Sequence, residues 1–217
     1  TFISGDTCYP YHQDNKDSRY IQKTLKTKMT LEQHKAMADA IRDTGCLVMA
    51  TPFDETSVKW AVEIGCDALK VASSDINDWF LLHKIADTTL PVAVSTGGAS
   101  LKSIDDMVRF FENRNISIAI NHCVSHYPSE DSELELDQIE FLKERYPHLV
   151  IGHSTHEYHD WHSSMLISYA KGARTWERHI DIPYPEGHQQ KEVSPYCSLP
   201  HQIDEYFKTF YKAKSMC

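Results

Sequence analysis

The sequence holds no CxxC pair, no glycine-rich phosphate-binding turn, no surplus of positive charge and no apolar run near membrane length. Each absence excludes something. The six cysteines stand singly at positions 8, 46, 66, 123, 197 and 217. That spread reads as reduced thiols of a cytoplasmic protein rather than a disulfide framework, and Cys46, Cys66 and Cys123, beside apolar runs, are expected to be buried. A formal net charge of −9 argues against nucleic acid as a general partner. Any anionic substrate therefore needs a local positive device. A membrane span requires about 20 consecutive apolar residues, and nothing here approaches that. The first residues, TFISGDTCYPYHQD, carry no basic stretch leading into an apolar one, so no signal peptide is expected.

What is present is a regular alternation. Apolar runs rich in β-branched residues occur at LVMATPF (47–53), DALKVAS (67–73), PVAVSTG (91–97), ISIAINHC (116–123), HLVIGHS (148–154) and ARTWERHI (173–180). Amphipathic stretches of helical length separate them. The first, MTLEQHKAMADAIRDTG, opens on a capping box from Thr30 to Gln33 and stops at Gly45. Strands that are nearly uniformly apolar point to a parallel sheet covered on both faces. TFIS is a poorer strand candidate, and LPHQIDEYFKTFYKAK closes the chain as a helix. The 217 residues suit one domain, 1–217. Polar residues gather at the C-terminal end of every strand, as on the catalytic rim of a βα barrel. An open doubly wound sheet would concentrate them at one switch point instead.

Three constellations carry chemistry. Lys70 sits inside the apolar LKVAS, where an ammonium needs an anion: a structural carboxylate, a bound phosphate or carboxylate, or a carbonyl that it traps as a Schiff base. Thr51, Ser73, Ser95, Ser125 and Ser154 end their strands; each could cap the following helix, and together they could donate to a small polyanion. Thirteen histidines are present, four of them spaced by three in GHSTHEYHDWHSS. No single regular element aims residues at that spacing toward one point. His156 and His179, however, end neighbouring strands, and parallel strands lie about 4.8 Å apart. They form either a two-imidazole metal site or a satisfied pair of rim histidines. His159 and His162 are expected at a solvated helix start, His153 on the other strand face or in a turn, and His122 in packing. Glu177 shares a face with His179, and Asp75 and Tyr127 follow their strands closely enough to meet a polyol.

TPFDETSVKW, LKVASSDINDW, PVAVSTGGASLKSIDDM, NHCVSHYPSE, IGHSTHE and WERHIDI, in that order, resemble the sialic acid synthases, including the legionaminic and pseudaminic acid synthases. The resemblance spans roughly residues 30 to 190. It implies a (βα)8 TIM barrel, an α/β fold, with the first βα unit and a small antifreeze-like domain lying outside this sequence, so that either the sequence is part of a longer polypeptide or a partner supplies the missing pieces. It implies condensation of phosphoenolpyruvate with an N-acylated hexose such as N-acetylmannosamine, aided by Mn²⁺ or Mg²⁺, in a homodimer. By the same resemblance Lys70, Thr51, Ser73, Ser95, Ser125 and Ser154 contact phosphoenolpyruvate. His156 and His179 bind the metal, and Asp75 and Tyr127 face the sugar. Glu186 is the candidate for the family's acidic residue after the last strand. Two rival readings keep the barrel: a member that binds without turnover, and an aldolase-like enzyme using Lys70.

Overall fold

The structure, a computed structural model, describes residues 27–158, 160–183 and 193–216. They form two compact units. One holds the described residues up to Val94 together with Ser100–Ile118, and the other Ser95–Ala99 with the described residues from Ala119 onward.

The first unit begins with α1 (Leu31–Asp43), whose start is written in its cap. The Thr30 hydroxyl accepts the Gln33 N–H at 3.3 Å while the Gln33 side chain accepts the Thr30 N–H at 2.7 Å. Past the Thr44 cap of α1, the chain turns away at Gly45, whose φ of +81° a residue with a Cβ rarely adopts. Strand β1 (Met49–Ala50), α2 (Glu55–Glu63), β2 (Ala68–Val71), α3 (Trp79–Ala86), β3 (Val92–Ser95) and α4 (Leu101–Glu112) follow. Strand β1 pairs in parallel with β2, and β2 with β3, from Met49 beside Ala68 to Val71 beside Val94. Leu69 and Val71 are fully buried, as are Leu82 and Ile85 of α3 and Met107 and Phe111 of α4. Arg42 reaches across to the end of α2, donating to the Ile64 carbonyl at 2.6 Å and the Gly65 carbonyl at 2.5 Å, which completes carbonyls the helix leaves unpaired.

The second unit carries β4 (Ile118–Cys123), α5 (Asp137–Arg145), β5 (Val150–Thr155), α6 (Trp161–Ala170), β6 (Thr175–Arg178) and α7 (Pro200–Met216). Strand β5 lies between β4 and β6, parallel to both, with Asn121 and Thr175 flanking Gly152. Ile120, Ile139, Ile151 and Met165 are its largest fully buried aliphatic side chains. Helix α7 packs through Tyr206 on Trp161, ring centres 5.1 Å apart, and through Phe210 on Trp176 at 5.3 Å.

The α/β class and the parallel βα succession are as expected. Six strands stand among the described residues, against the eight of the complete barrel that the resemblance implies. TFIS lies outside the described residues. Two local expectations are corrected. Cys46 is exposed, because the turn after α1 leaves it outside the sheet, whereas Cys66 and Cys123 are buried. Strand β2 alternates instead of being apolar on both faces: Leu69 and Val71 are buried, and Lys70 is half-buried. No helix among the described residues is long and apolar enough to cross a membrane.

Candidate functional site

The strand ends show first what the hydroxyls do not do. The helix caps fall on Asp54, Asp78, Ser100 and Asp160, each accepting a backbone N–H of the first turn. None of Thr51, Ser73, Ser95, Ser125 or Ser154 serves as a cap, because the loops run on for several residues before the helix starts. In the first unit Thr51 follows β1 half-buried, and Ser73 and Asp75 bound a short 3₁₀ turn just after β2, Ser73 standing three residues beyond Lys70. Partial burial raises the Asp75 carboxyl above the usual carboxylate range. The Ser74 hydrogen bond lowers it, the Asp78 charge raises it further, and Lys70 pulls the other way. One Asp75 carboxylate oxygen is buried without a hydrogen-bond partner.

In the second unit Ser95 is 1% exposed, and its hydroxyl is also without a partner. Ser125 is exposed, and Ser154 is buried with its hydroxyl donating to Glu177 Oε1 at 3.3 Å. The register of β5 on β6 sets Ser154 beside Glu177 and Thr155 beside Arg178, so the next step along both chains brings His156 to His179. Their ring centres lie 5.2 Å apart. His156 is 3% exposed and His179 is exposed, so the pair has one anchored and one accessible ring.

Two hydrogen bonds hold His156 against the loop after β4. Its Nδ1 donates to the Val124 carbonyl at 3.1 Å, and its own carbonyl accepts the Ser129 N–H at 3.0 Å. The loop is thereby laid over the imidazole, and the Tyr127 ring centre sits 3.9 Å from that of His156. Tyr196, from the segment returning after β6, stands edge-on to His179 at 5.2 Å and to Tyr127 at 5.6 Å. Four rings thus surround one strand end. Partial burial, with Cys123, Glu177 and Tyr196 nearby, pushes the Tyr127 phenol above its ordinary range.

The donor set fits a divalent ion. Two imidazoles each about 2.1 Å from one ion have ring centres about 5 Å apart. A proton on Nδ1 of His156, required by its carbonyl partner, puts the lone pair of the neutral ring on Nε2. No cluster of three or more His, Cys, Asp or Glu suited to a metal occurs among the described residues, so a site here would rest on two imidazoles with oxygen ligands from elsewhere.

The other histidines separate cleanly. His153 is 2% exposed, and its ring stacks on that of His122, centres 5.7 Å apart. His122 hydrogen-bonds the Leu134 carbonyl at 2.8 Å. Burial drives the His153 ring down to about 3, with His122, His156 and Arg178 adding to the effect. His162, on α6, meets Thr209 Oγ1 of α7 at 3.1 Å. His159 and Glu186 lie outside the described residues.

Sequence reasoning missed Arg178, Glu157 and Tyr196. Arg178 and Glu157 form an ion pair at 3.2 Å with side chains 6% and 0% exposed. An acidic residue directly after one candidate ligand and a basic one directly before the other was the signal that could have found it.

In the second unit, neighbouring parallel strand ends bring together two imidazoles, a buried hydroxyl and a half-buried carboxylate, the make-up of a candidate small-molecule site on a parallel α/β scaffold. The chain belongs to the NeuB family, whose model matches residues 4–199, and its curated relatives include sialic, legionaminic and pseudaminic acid synthases. It is 32% identical over 157 residues to N-acetylneuraminate-9-phosphate synthase of Drosophila melanogaster, covering 70% of this chain and 40% of that protein. It is 29% identical over 171 residues to N,N'-diacetyllegionaminic acid synthase of Campylobacter jejuni, covering 76% and 50%. The crystal structure of a spore coat polysaccharide biosynthesis protein E, described as putative, from Chromobacterium violaceum superposes with a TM-score of 0.92 at 31% identity, over 99% of this chain and 63% of that one. The chain spans about half the length of the curated relatives it matches.

Proposed function

We propose that the protein condenses phosphoenolpyruvate with an N-acylated hexose, giving a nonulosonic acid and phosphate. The juxtaposition of His156 and His179 at one strand end carries this reading, because a sugar aldehyde needs polarising before an enol can attack it. A bound Mn²⁺ or Mg²⁺ supplies Lewis-acid polarisation of that aldehyde. The phosphoenolpyruvate C3 forms the new bond to the aldehyde carbon, whose oxygen takes a proton. Water adds at C2, and phosphate leaves from the resulting tetrahedral centre.

Lys70 contributes the cation for the phosphoenolpyruvate anion, with Thr51 and Ser73 beside it as hydroxyl donors. In the second unit Ser95, Ser125 and Ser154 are further donors, and Glu177 orients Ser154. Asp75 and Tyr127 face the sugar. A homodimer in the cytoplasm is the proposed setting. Holding the two reactants in a fixed approach supplies much of the acceleration.

The test is phosphate release by the full-length protein, with phosphoenolpyruvate and N-acetylmannosamine or its N-acyl relatives. Release that needs both substrates, stops with EDTA and returns with Mn²⁺ is the expected result. Tight phosphoenolpyruvate binding without release for any such sugar would reduce the protein to a binder. Borohydride trapping of a substrate on Lys70 would replace the mechanism with Schiff-base chemistry.

A further inference from the structure

Arg178 lies between Glu177 and His179, on the strand face opposite theirs. Its guanidinium spends every nitrogen. Nη1 meets Glu157 Oε1 at 3.2 Å and donates to Thr155 Oγ1 at 2.9 Å. Nη2 donates to the Glu157 carbonyl at 3.2 Å, and Nε donates to the Ser198 hydroxyl. The Trp161 ring lies 5.8 Å from the guanidinium carbon, and the Ser164 hydroxyl donates to Glu157 Oε1 from α6.

These partners are not scattered. Thr155 and Glu157 are the residues immediately before and after His156. Ser198 donates its backbone N–H to the His179 carbonyl at 2.8 Å and stands two residues from Tyr196. One guanidinium thus fixes the backbone on both sides of His156, the backbone leading into His179, and the segment that sets Tyr196 against both rings. Joining β5 to β6 alone would not require this. A buried ion pair is a poor source of stability, since desolvation offsets most of its attraction, and apolar residues of similar volume usually do as well. What a planar fork with fixed donor directions adds is orientation.

We propose that Arg178, through Glu157, Thr155 and Ser198, is a positioning residue that sets the separation and tilt of the His156 and His179 imidazoles for a shared divalent ion. The inference rests on the metal reading of that pair. Without the brace each histidine stays on its own strand end, but their relative aim is no longer fixed, and an ion is held by one ring at a time.

The experiment uses Mn²⁺ alone as the probe on the full-length protein. Affinity is followed by electron paramagnetic resonance, and the number of coupled imidazole nitrogens is read by electron spin echo modulation. Four proteins are compared: wild type, His179→Ala, Arg178→Lys, and the double variant Arg178→Met with Glu157→Leu, which removes both buried charges together and so spares the fold. The expected result is two coupled nitrogens in the wild type, and a Kd for Mn²⁺ raised at least tenfold with one nitrogen in the double variant, at a temperature where its circular dichroism is native. Arg178→Lys, which keeps the charge but loses the fork, should weaken binding at least threefold, and it decides the matter if the double variant does not fold. Wild-type affinity with two nitrogens in the braceless variants, alongside loss of binding in His179→Ala, would overturn the positioning role and leave the metal reading standing. Equal Mn²⁺ binding by wild type and His179→Ala would overturn both.

Discussion

Thr175 donates a hydrogen bond of 3.1 Å to Asn121 although the two belong to strands that do not pair, β4 and β6. The bond passes over Gly152 of the strand between them. A Cβ there would stand 2.0 Å from the Thr175 hydroxyl, 2.2 Å from the Asn121 side-chain oxygen and 2.8 Å from the Thr175 carbonyl. Gly152→Ala is therefore expected to destabilise the protein by ~3 kcal/mol, combining overpacking with the loss of a part-buried hydrogen bond. Urea unfolding measures it. Adding Thr175→Ala should recover part of the loss, because it removes the nearest clash; no recovery would place the strain in the backbone instead.

His153 gives the fold an acid-sensitive element. Its folded ring is held down to about 3 from an ordinary 6.5, so above pH 6.5 it is neutral in both folded and unfolded chains and stability is fully present. As the pH falls below 6.5 the unfolded chain takes up a proton that the folded one refuses. Stability then drops by on the order of 1.4 kcal/mol per pH unit until the folded ring protonates as well. His122, also depressed by burial, adds to the same trend. Urea midpoints at pH 7.0, 5.5 and 4.5 should fall more steeply for the wild type than for His153→Gln, which does not titrate. Parallel slopes would mean that His153 reaches solvent.

Lys70→Ala is expected to weaken phosphoenolpyruvate binding by ~2 kcal/mol, roughly thirtyfold in Kd, as for a charge-assisted contact. Calorimetry with the full-length protein decides it. A loss under ~0.5 kcal/mol would assign the half-buried lysine to a structural ion pair, in keeping with exposed pairs generally.

The elements that sequence reading finds are those whose cause is local. Thr30 and Gln33 announce the start of α1, and five of the six quoted apolar runs contain their strands, because the apolar period is imposed by the covering helices; the sixth, HLVIGHS, stops one residue short of Thr155. The meeting of His156 and His179 was legible too, since parallel neighbours with equivalent strand ends leave few other places for them. The brace was not. Strand alternation pairs His179 with Glu177 and turns Arg178 outward, where an arginine reads as solvated. Its burial comes from Trp161 on α6, from α7 and from the returning segment at Ser198, and none of these has a periodic signature that ties it to β6. Tyr196 was hidden for the same reason: its place depends on Ser198 meeting His179, a contact no spacing rule foretells.

Each strand pair in either unit joins consecutive strands: the shortest span is that from Met49 to Ala68, the longest that from Ala119 to Val150. Pairings between sequence-adjacent strands carry less loop-closure entropy than pairings between distant ones. They also give assembly a direction. During synthesis β1 can find β2 before β3 has left the ribosome, and β4 can find β5 before β6 exists, so each unit can grow strand by strand in the order of translation. The histidine pair, resting on the last two strands described, is then among the final features to form.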